Sequence, residues 1–101
     1  MQFYFTEKFK RNYKKLKSEH KDQFEEIFES FMDELENYLD SKSPISAKYR
    51  FKILRQSDGV MAMTWSYKQP DGRATFHIEE INGEPVLVWR RIGTHEIYRE
   101  P

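Results

Sequence analysis

Residues 60–92 read VMAMTWSYKQPDGRATFHIEEINGEPVLVWRRI, and three strands with two tight turns are written into this stretch. Val60 to Tyr67 and Arg73 to Ile81 are rich in apolar, aromatic and β-branched residues, and Gln69-Pro70-Asp71-Gly72 separates them. Proline presets the φ of a turn, aspartate bonds its own backbone, and glycine takes the conformations other residues avoid. Asn82-Gly83 then divides Arg73–Ile81 from Pro85–Ile92, and Asn-Gly is the pair that suits the positive φ angles of a two-residue hairpin. Strands joined by connections this short run antiparallel.

Just upstream, Ser57-Asp58-Gly59 marks another turn. Before it Tyr49, Phe51 and Ile53 alternate with Lys48, Arg50 and Lys52, a pattern that predicts a half-buried strand with a basic outer face. Ser41 to Ser46, with Pro44, has the composition of a linker. On its N-terminal side the apolar period becomes helical. Phe24, Ile27, Phe28, Phe31, Leu35, Tyr38 and Leu39 form one stripe, and Glu25, Glu26, Glu29, Asp33, Glu34 and Glu36 cover the other side. Ser18 is the expected cap of this helix. Phe9, Tyr13 and Leu16 define a shorter helix over about Thr6 to Lys17, with Thr6 as its cap and Glu7 in its first turn. A connection this short predicts an antiparallel helical hairpin. Phe3 to Phe5 supplies one more short strand. The expected fold is α+β: an N-terminal strand and a helical hairpin packed on a twisted, mainly antiparallel sheet of four to five strands, with residues 1–101 as one domain.

The chain of 101 residues has formal charge zero, but the charge is segregated. Basic residues dominate Met1 to Lys17, acidic residues dominate Ser18 to Asp40, and Lys and Arg again exceed Asp and Glu from Ser41 onward. Affinity for phosphates grows with the charge neutralised, so a neutral total argues against a broad nucleic-acid binder and leaves room for a local site. There is no cysteine, hence neither disulfide nor thiolate ligand. No apolar run reaches the length of a membrane span, and Met1 to Lys17 lacks the apolar core of a signal peptide. A soluble, intracellular protein is the expectation.

Several residues are suited to chemistry. Lys48, Arg50 and Lys52, with Arg55 shortly after, offer positive charge, although the same residues also serve as edge protection. Arg73 follows a rigid turn, where a guanidinium clamps a phosphate well. Arg90 and Arg91 are neighbours in a strand and are expected on opposite faces of the sheet. His95 and Tyr98 lie in the C-terminal segment Gly93-Thr94-His95-Glu96-Ile97-Tyr98, and histidine titrates in the range that suits proton transfer. His20 and His77 read as solvated or packing residues. No paired-histidine spacing, phosphate loop or nucleophile motif is present.

Pro70-Asp71-Gly72-Arg73-Ala74-Thr75-Phe76 and Val88-Trp89-Arg90-Arg91-Ile92-Gly93-Thr94-His95-Glu96-Ile97-Tyr98 resemble the RelE/ParE toxin superfamily, in particular its HigB-like and plasmid-stabilisation branches. Phe51-Lys52-Ile53-Leu54 and Asp58-Gly59-Val60 are similar to the segment that enters the family's sheet. The resemblance implies a cytoplasmic toxin of a type II toxin–antitoxin pair, with a cognate antitoxin, the ribosome and messenger RNA as partners and no cofactor or metal. In RelE-like members the RNA's own 2′-hydroxyl attacks the adjacent phosphate. Arg73 would then stabilise the phosphate, His95 would move a proton and Tyr98 would stack on a base or orient the substrate. Lys48, Arg50, Lys52, Arg55 and one of Arg90 and Arg91 would add positive charge.

The run Gly59-Val60-Met61-Ala62-Met63-Thr64 departs from the family pattern, since Ala62 and Thr64 stand where relatives carry an acidic and a basic residue. Two other readings therefore stay open. One is a ParE-like inhibitor of DNA gyrase without catalysis, and the other is an inactive relative that binds an antitoxin. An antitoxin is expected to mask Lys48, Arg50, Lys52 and Arg73.

Overall fold

A computed structural model of the chain describes residues 1–68 and 70–101. In chain order the elements are β1 (Gln2–Phe5), α1 (Glu7–Lys14), α2 (Ser18–Ser41), a 3-10 turn (Ala47–Tyr49), β2 (Lys52–Ile53), β3 (Met61–Ser66), β4 (Gly72–Ile81), β5 (Glu84–Gly93) and a second 3-10 turn (His95–Arg99). The strands form one sheet in the order β1-β5-β4-β3-β2. All neighbours are antiparallel except β1, which runs parallel to β5, with Gln2 opposite Val86 and Tyr4 opposite Val88. The expected α+β architecture is the one observed.

Thr6 makes the joint between β1, α1 and β5. Its backbone N–H donates to the Trp89 carbonyl at 3.0 Å and its hydroxyl donates to the Arg90 carbonyl at 2.9 Å. The same hydroxyl oxygen accepts the Phe9 N–H at 3.1 Å, which caps α1. Ser18, in contrast, is the first residue of α2 rather than its cap. Lys17 holds the cap position and offers no side-chain hydrogen bond. The helices meet where Phe9 and Tyr13 touch Phe24. Tyr13 also donates to Glu25 Oε2 at 2.8 Å, and burial together with this carboxylate pushes its phenol up to about 12.

Both helices lie on one face of the sheet. The fully buried Trp89 is the hub there, with ring centroids 5.1 Å from Phe76, 5.6 Å from Phe24, 5.7 Å from Phe28 and 6.0 Å from Phe31. Strand alternation sends Met63, Ala74, Phe76 and Leu87 to the same face. Two irregularities adjust the pattern. Opposite the step from Thr75 to Phe76, β5 moves from Arg91 to Trp89, so Arg90 is an extra, bulged residue. Between Thr64 and Ser66 the register shifts again, and Trp65 is the residue left over. Its indole lies where a Gly72 side chain would be, with ring atoms 2.6 Å from an ideal Cβ, and its Nε1–H donates to the Arg73 carbonyl at 3.0 Å.

The strand expected from Tyr49, Phe51 and Ile53 is not formed as such. Tyr49 closes a 3-10 turn, Arg50 takes a left-handed φ of 43°, and only Lys52 and Ile53 pair with β3. Burial explains the apparent alternation. Tyr49 packs on Phe31, and Phe51 packs between Tyr38 and Phe76, whereas Ile53 is exposed. Lys48, Arg50 and Lys52 therefore do not share a strand face. Of the expected turn before β4, Gln69 lies outside the described residues. Asn82 and Gly83 have the positive φ angles foreseen, 54° and 79°. No helix among the described residues is long and apolar enough to cross a membrane.

Gly72→Ala forces the Trp65 indole or β4 to move, and we expect a loss of roughly 1–3 kcal/mol, read from urea unfolding. Glu34 accepts the Ser46 N–H at 2.7 Å, and this hydrogen bond holds its carboxyl below its usual value of 4.5. The stability it adds is complete above that value and disappears as pH falls through the lower folded value. Glu34→Gln should lower stability at neutral pH and flatten the acid limb, so that variant and parent converge once the pH is well below about 4.

Candidate functional site

The face of the sheet turned away from the helices carries Ala62 and Thr64 on β3, Arg73, Thr75, His77 and Glu79 on β4, and Arg90 on β5. These positions alternate with the core residues of the same strands, save at the bulge. The C-terminal segment folds across this face. Tyr98 packs on Leu54, Val60 and Ala62, and the Pro101 carbonyl accepts from Thr75 Oγ1 at 2.9 Å and Arg90 Nε at 3.0 Å. Two polar clusters result.

Arg73 is the centre of the first. Its side chain is 15 % exposed, donating through Nη1 to Thr64 Oγ1 at 2.6 Å and through Nη2 to Asp71 Oδ2 at 3.1 Å. The same Asp71 oxygen accepts from Arg50 Nη1 at 3.0 Å, so one nearly buried carboxylate serves two guanidiniums. Arg50 also stacks on Tyr67. Tyr98 lies beside Arg73, with Lys52 Nζ 4.7 Å from its ring centroid and His95 edge-on at 5.2 Å. Burial raises the ionisation of Tyr98 above its ordinary 10.0, against the pull of the Arg73 charge, so the phenol keeps its proton at neutral pH. His95 itself is exposed.

The second cluster was not legible as a unit. His77, read from the sequence as a solvated or packing residue, is held on both sides: its Nε2 is 2.8 Å from Glu79 Oε1 and its Nδ1 is 2.8 Å from Arg90 Nη1. A guanidinium only donates, so Nδ1 accepts, the ring proton sits on Nε2, and that proton goes to Glu79. The histidine hydrogen bond holds the Glu79 carboxyl below its ordinary range. Arg91 donates to Asn12 Oδ1 at 2.7 Å and to the Glu100 carbonyl at 3.0 Å. His77, Arg90, Arg91 and Glu100, with Lys8 and Ser57, line a cleft of about 430 Å³. The expectation that Arg90 and Arg91 point to opposite faces is corrected here, because the bulge at Arg90 lets both reach the C-terminal segment.

Of the residues selected from sequence, Arg73, His95, Tyr98 and Lys52 come together, and Arg50 joins them through Asp71. Lys48 lies over the ring of its neighbour Tyr49 instead, and Arg55 is exposed in the turn after β2. Arg90 and Arg91 belong to the His77 cleft. Among the described residues no group of three His, Asp or Glu side chains is placed to hold a metal ion.

The element order, the mixed five-stranded sheet and the hairpin on one face together define an α+β fold of the RelE kind. The solved structures that share it include free E. coli RelE carrying two arginine-to-alanine substitutions, which is 20% identical with a TM-score of 0.55 over 98% of this chain and 90% of that one. The isolated E. coli RelE toxin matches at 18% identity and a TM-score of 0.53, covering 98% and 92% of the two chains. A chain of the intact E. coli RelBE toxin–antitoxin complex matches at 18% and 0.51, covering 92% and 94%. No family model matches the chain, and the search of curated proteins returns no match. The resemblance read from the sequence is thus matched at the level of fold.

Because His95 is exposed and Tyr98 is packed, their truncations should separate. His95→Ala is expected to leave the urea midpoint within about 0.5 kcal/mol of the parent. Tyr98→Ala opens the small core over Ala62 and should cost about 2–3 kcal/mol.

Proposed function

We propose that residues 1–101 form one toxin domain of a type II toxin–antitoxin pair that cuts messenger RNA on the ribosome. The observation that carries this reading is the convergence of Arg73, Tyr98, His95 and Lys52 at one end of the polar face, on a fold of the RelE kind. In the proposed reaction the 2′-oxygen of a nucleotide attacks the adjacent phosphorus, the bond to the 5′-oxygen breaks, and a 2′,3′-cyclic phosphate and a 5′-hydroxyl result. The attacking hydroxyl must lose a proton and the leaving oxygen must gain one. His95 is the group suited to that transfer, since its ring is exposed and an imidazole can both accept and give up a proton. Tyr98 keeps its proton, so it serves as a hydrogen-bond donor and stacking surface rather than as a base. Arg73 and Lys52 oppose the charge that builds on the phosphate. A cytoplasmic site of action and a cognate antitoxin covering Lys48, Arg50, Lys52 and Arg73 belong to the same proposal.

A second reading is favoured by Asp71 and Ala62. A phosphate approaching Arg73 has to compete with the Asp71 carboxylate, which already holds Arg73 and Arg50. Ala62, where relatives carry an acidic residue, is wholly buried and supplies no base. Both facts suit a chain that acts by binding, on gyrase or on an antitoxin alone.

Induced expression of the wild type and of His95→Ala, with primer extension on a reporter message, decides between these readings. The nuclease predicts growth arrest with new 5′ ends inside translated codons, both lost in the variant, whose fold the stability measurement above verifies. Arrest without cleavage points to gyrase or another target. A folded wild type that causes no arrest leaves the partner-binding role.

A further inference from the structure

We infer that the open edge of β1 and the adjoining side of α2 form a docking site for an extended, basic segment of another protein. β1 is the terminal strand of the sheet and, among the described residues, pairs only with β5. The Thr6 N–H points to Trp89, and backbone direction alternates along a strand, so Tyr4 and Gln2 also turn to β5. The N–H and C=O groups of Phe3 and Phe5 therefore face outward, free to extend the ladder.

Beside this edge runs an apolar channel. One part, of about 300 Å³, is floored by Phe3, Phe28 and Met32, and a second, of about 550 Å³, by Phe5, Phe9 and Tyr13. The two parts share Phe28 and Glu29 and so adjoin each other. Phe3 remains 42% exposed at its margin.

Charge selects the occupant. Glu25, Glu29, Asp33 and Glu36 recur along α2 at a spacing that keeps them on one side of the helix, and all four line the channel. Glu25 accepts from Tyr13, and Glu36 pairs with the amino group of Met1. Glu29 and Asp33 have neither a hydrogen bond nor an ion pair among the described residues, and Lys10 and the amino group of Met1, which Glu36 already holds, are the cations in the two linings. Lysine or arginine fits this geometry because its stem lies on the aromatic floor while its head reaches the carboxylates. A second copy of the chain would bring the same acidic ridge and be repelled. The channel lies on the helix side of the sheet, apart from Arg73, so the inference stands whether or not the chain is a nuclease.

The test uses the folded protein and a labelled peptide, Leu-Thr-Lys-Thr-Leu-Thr-Lys-Thr, which as a strand turns Leu and Lys alternately towards the channel. Fluorescence anisotropy should show saturable binding below about 1 mM, the weak end of specific association. Replacing both Lys by Glu, or reversing the ridge with Glu29→Lys and Asp33→Lys, should weaken binding about tenfold or more. Methylating alternate backbone nitrogens of the peptide should abolish binding with the side chains unchanged. Both protein substitutions are on exposed positions, and a thermal melt verifies that the variant is folded. The inference is overturned if the wild type does not bind by 1 mM, or if the reversed ridge or the methylated peptide binds as well as the original. Sedimentation showing that the edge is closed by self-association would also overturn it.

Discussion

Without the extra residue at Arg90, the alternation of β5 would send Leu87, Trp89 and Arg91 to the same side, and a guanidinium would enter a core of aromatic rings. Burying that charge without a partner costs far more than a local kink. The bulge resolves the conflict by restarting the alternation, so that Ile92 takes the inner position after Trp89. Its other result is chemical. Arg90 and Arg91 both become available to the C-terminal segment, and the Arg90 guanidinium meets His77. The exclusion of Arg91 from the aromatic core and the His77 cluster on the other face are thus consequences of one register shift.

The two clusters treat positive charge differently. Arg73 and Arg50 share a carboxylate on Asp71, which fixes their geometry and offsets much of their charge. Arg91 is fixed by the amide oxygen of Asn12 and the carbonyl of Glu100, neutral acceptors that orient a guanidinium and leave its field intact. A local field from a few such groups is consistent with a chain whose total charge is zero, because focusing depends on arrangement rather than on the sum.

Much of the fold was legible because its signals are local. The helical stripes, the Thr6 cap and the Asn82-Gly83 turn depend on residues within a turn or two of one another. The segment from Tyr49 to Ile53 was misread because burial, not backbone extension, produced its alternation. Tyr49 and Phe51 both need the core and reach it through a 3-10 turn and a left-handed Arg50. The candidate site was legible where the sequence placed it on β4 and in the C-terminal segment, which gave Arg73, His95 and Tyr98. His77 was missed for a stated reason. Its pairing with Glu79 two residues on follows from strand period, but its pairing with Arg90 depends on a cross-strand register that the bulge sets.

The joint at Thr6 also has a consequence for how the chain is made. The hydroxyl that caps α1 donates to a carbonyl 84 residues further along, and every backbone partner of β1 lies in β5. Pairing at such separation is slow, since the loop must close before any contact rewards it. During synthesis the aromatic run Phe3-Tyr4-Phe5 leaves the ribosome well before β5 and waits, unpaired, for that strand. That interval is when a nascent chain of this kind is most open to sticking to its neighbours, and when a chaperone holding the aromatic run has most to contribute.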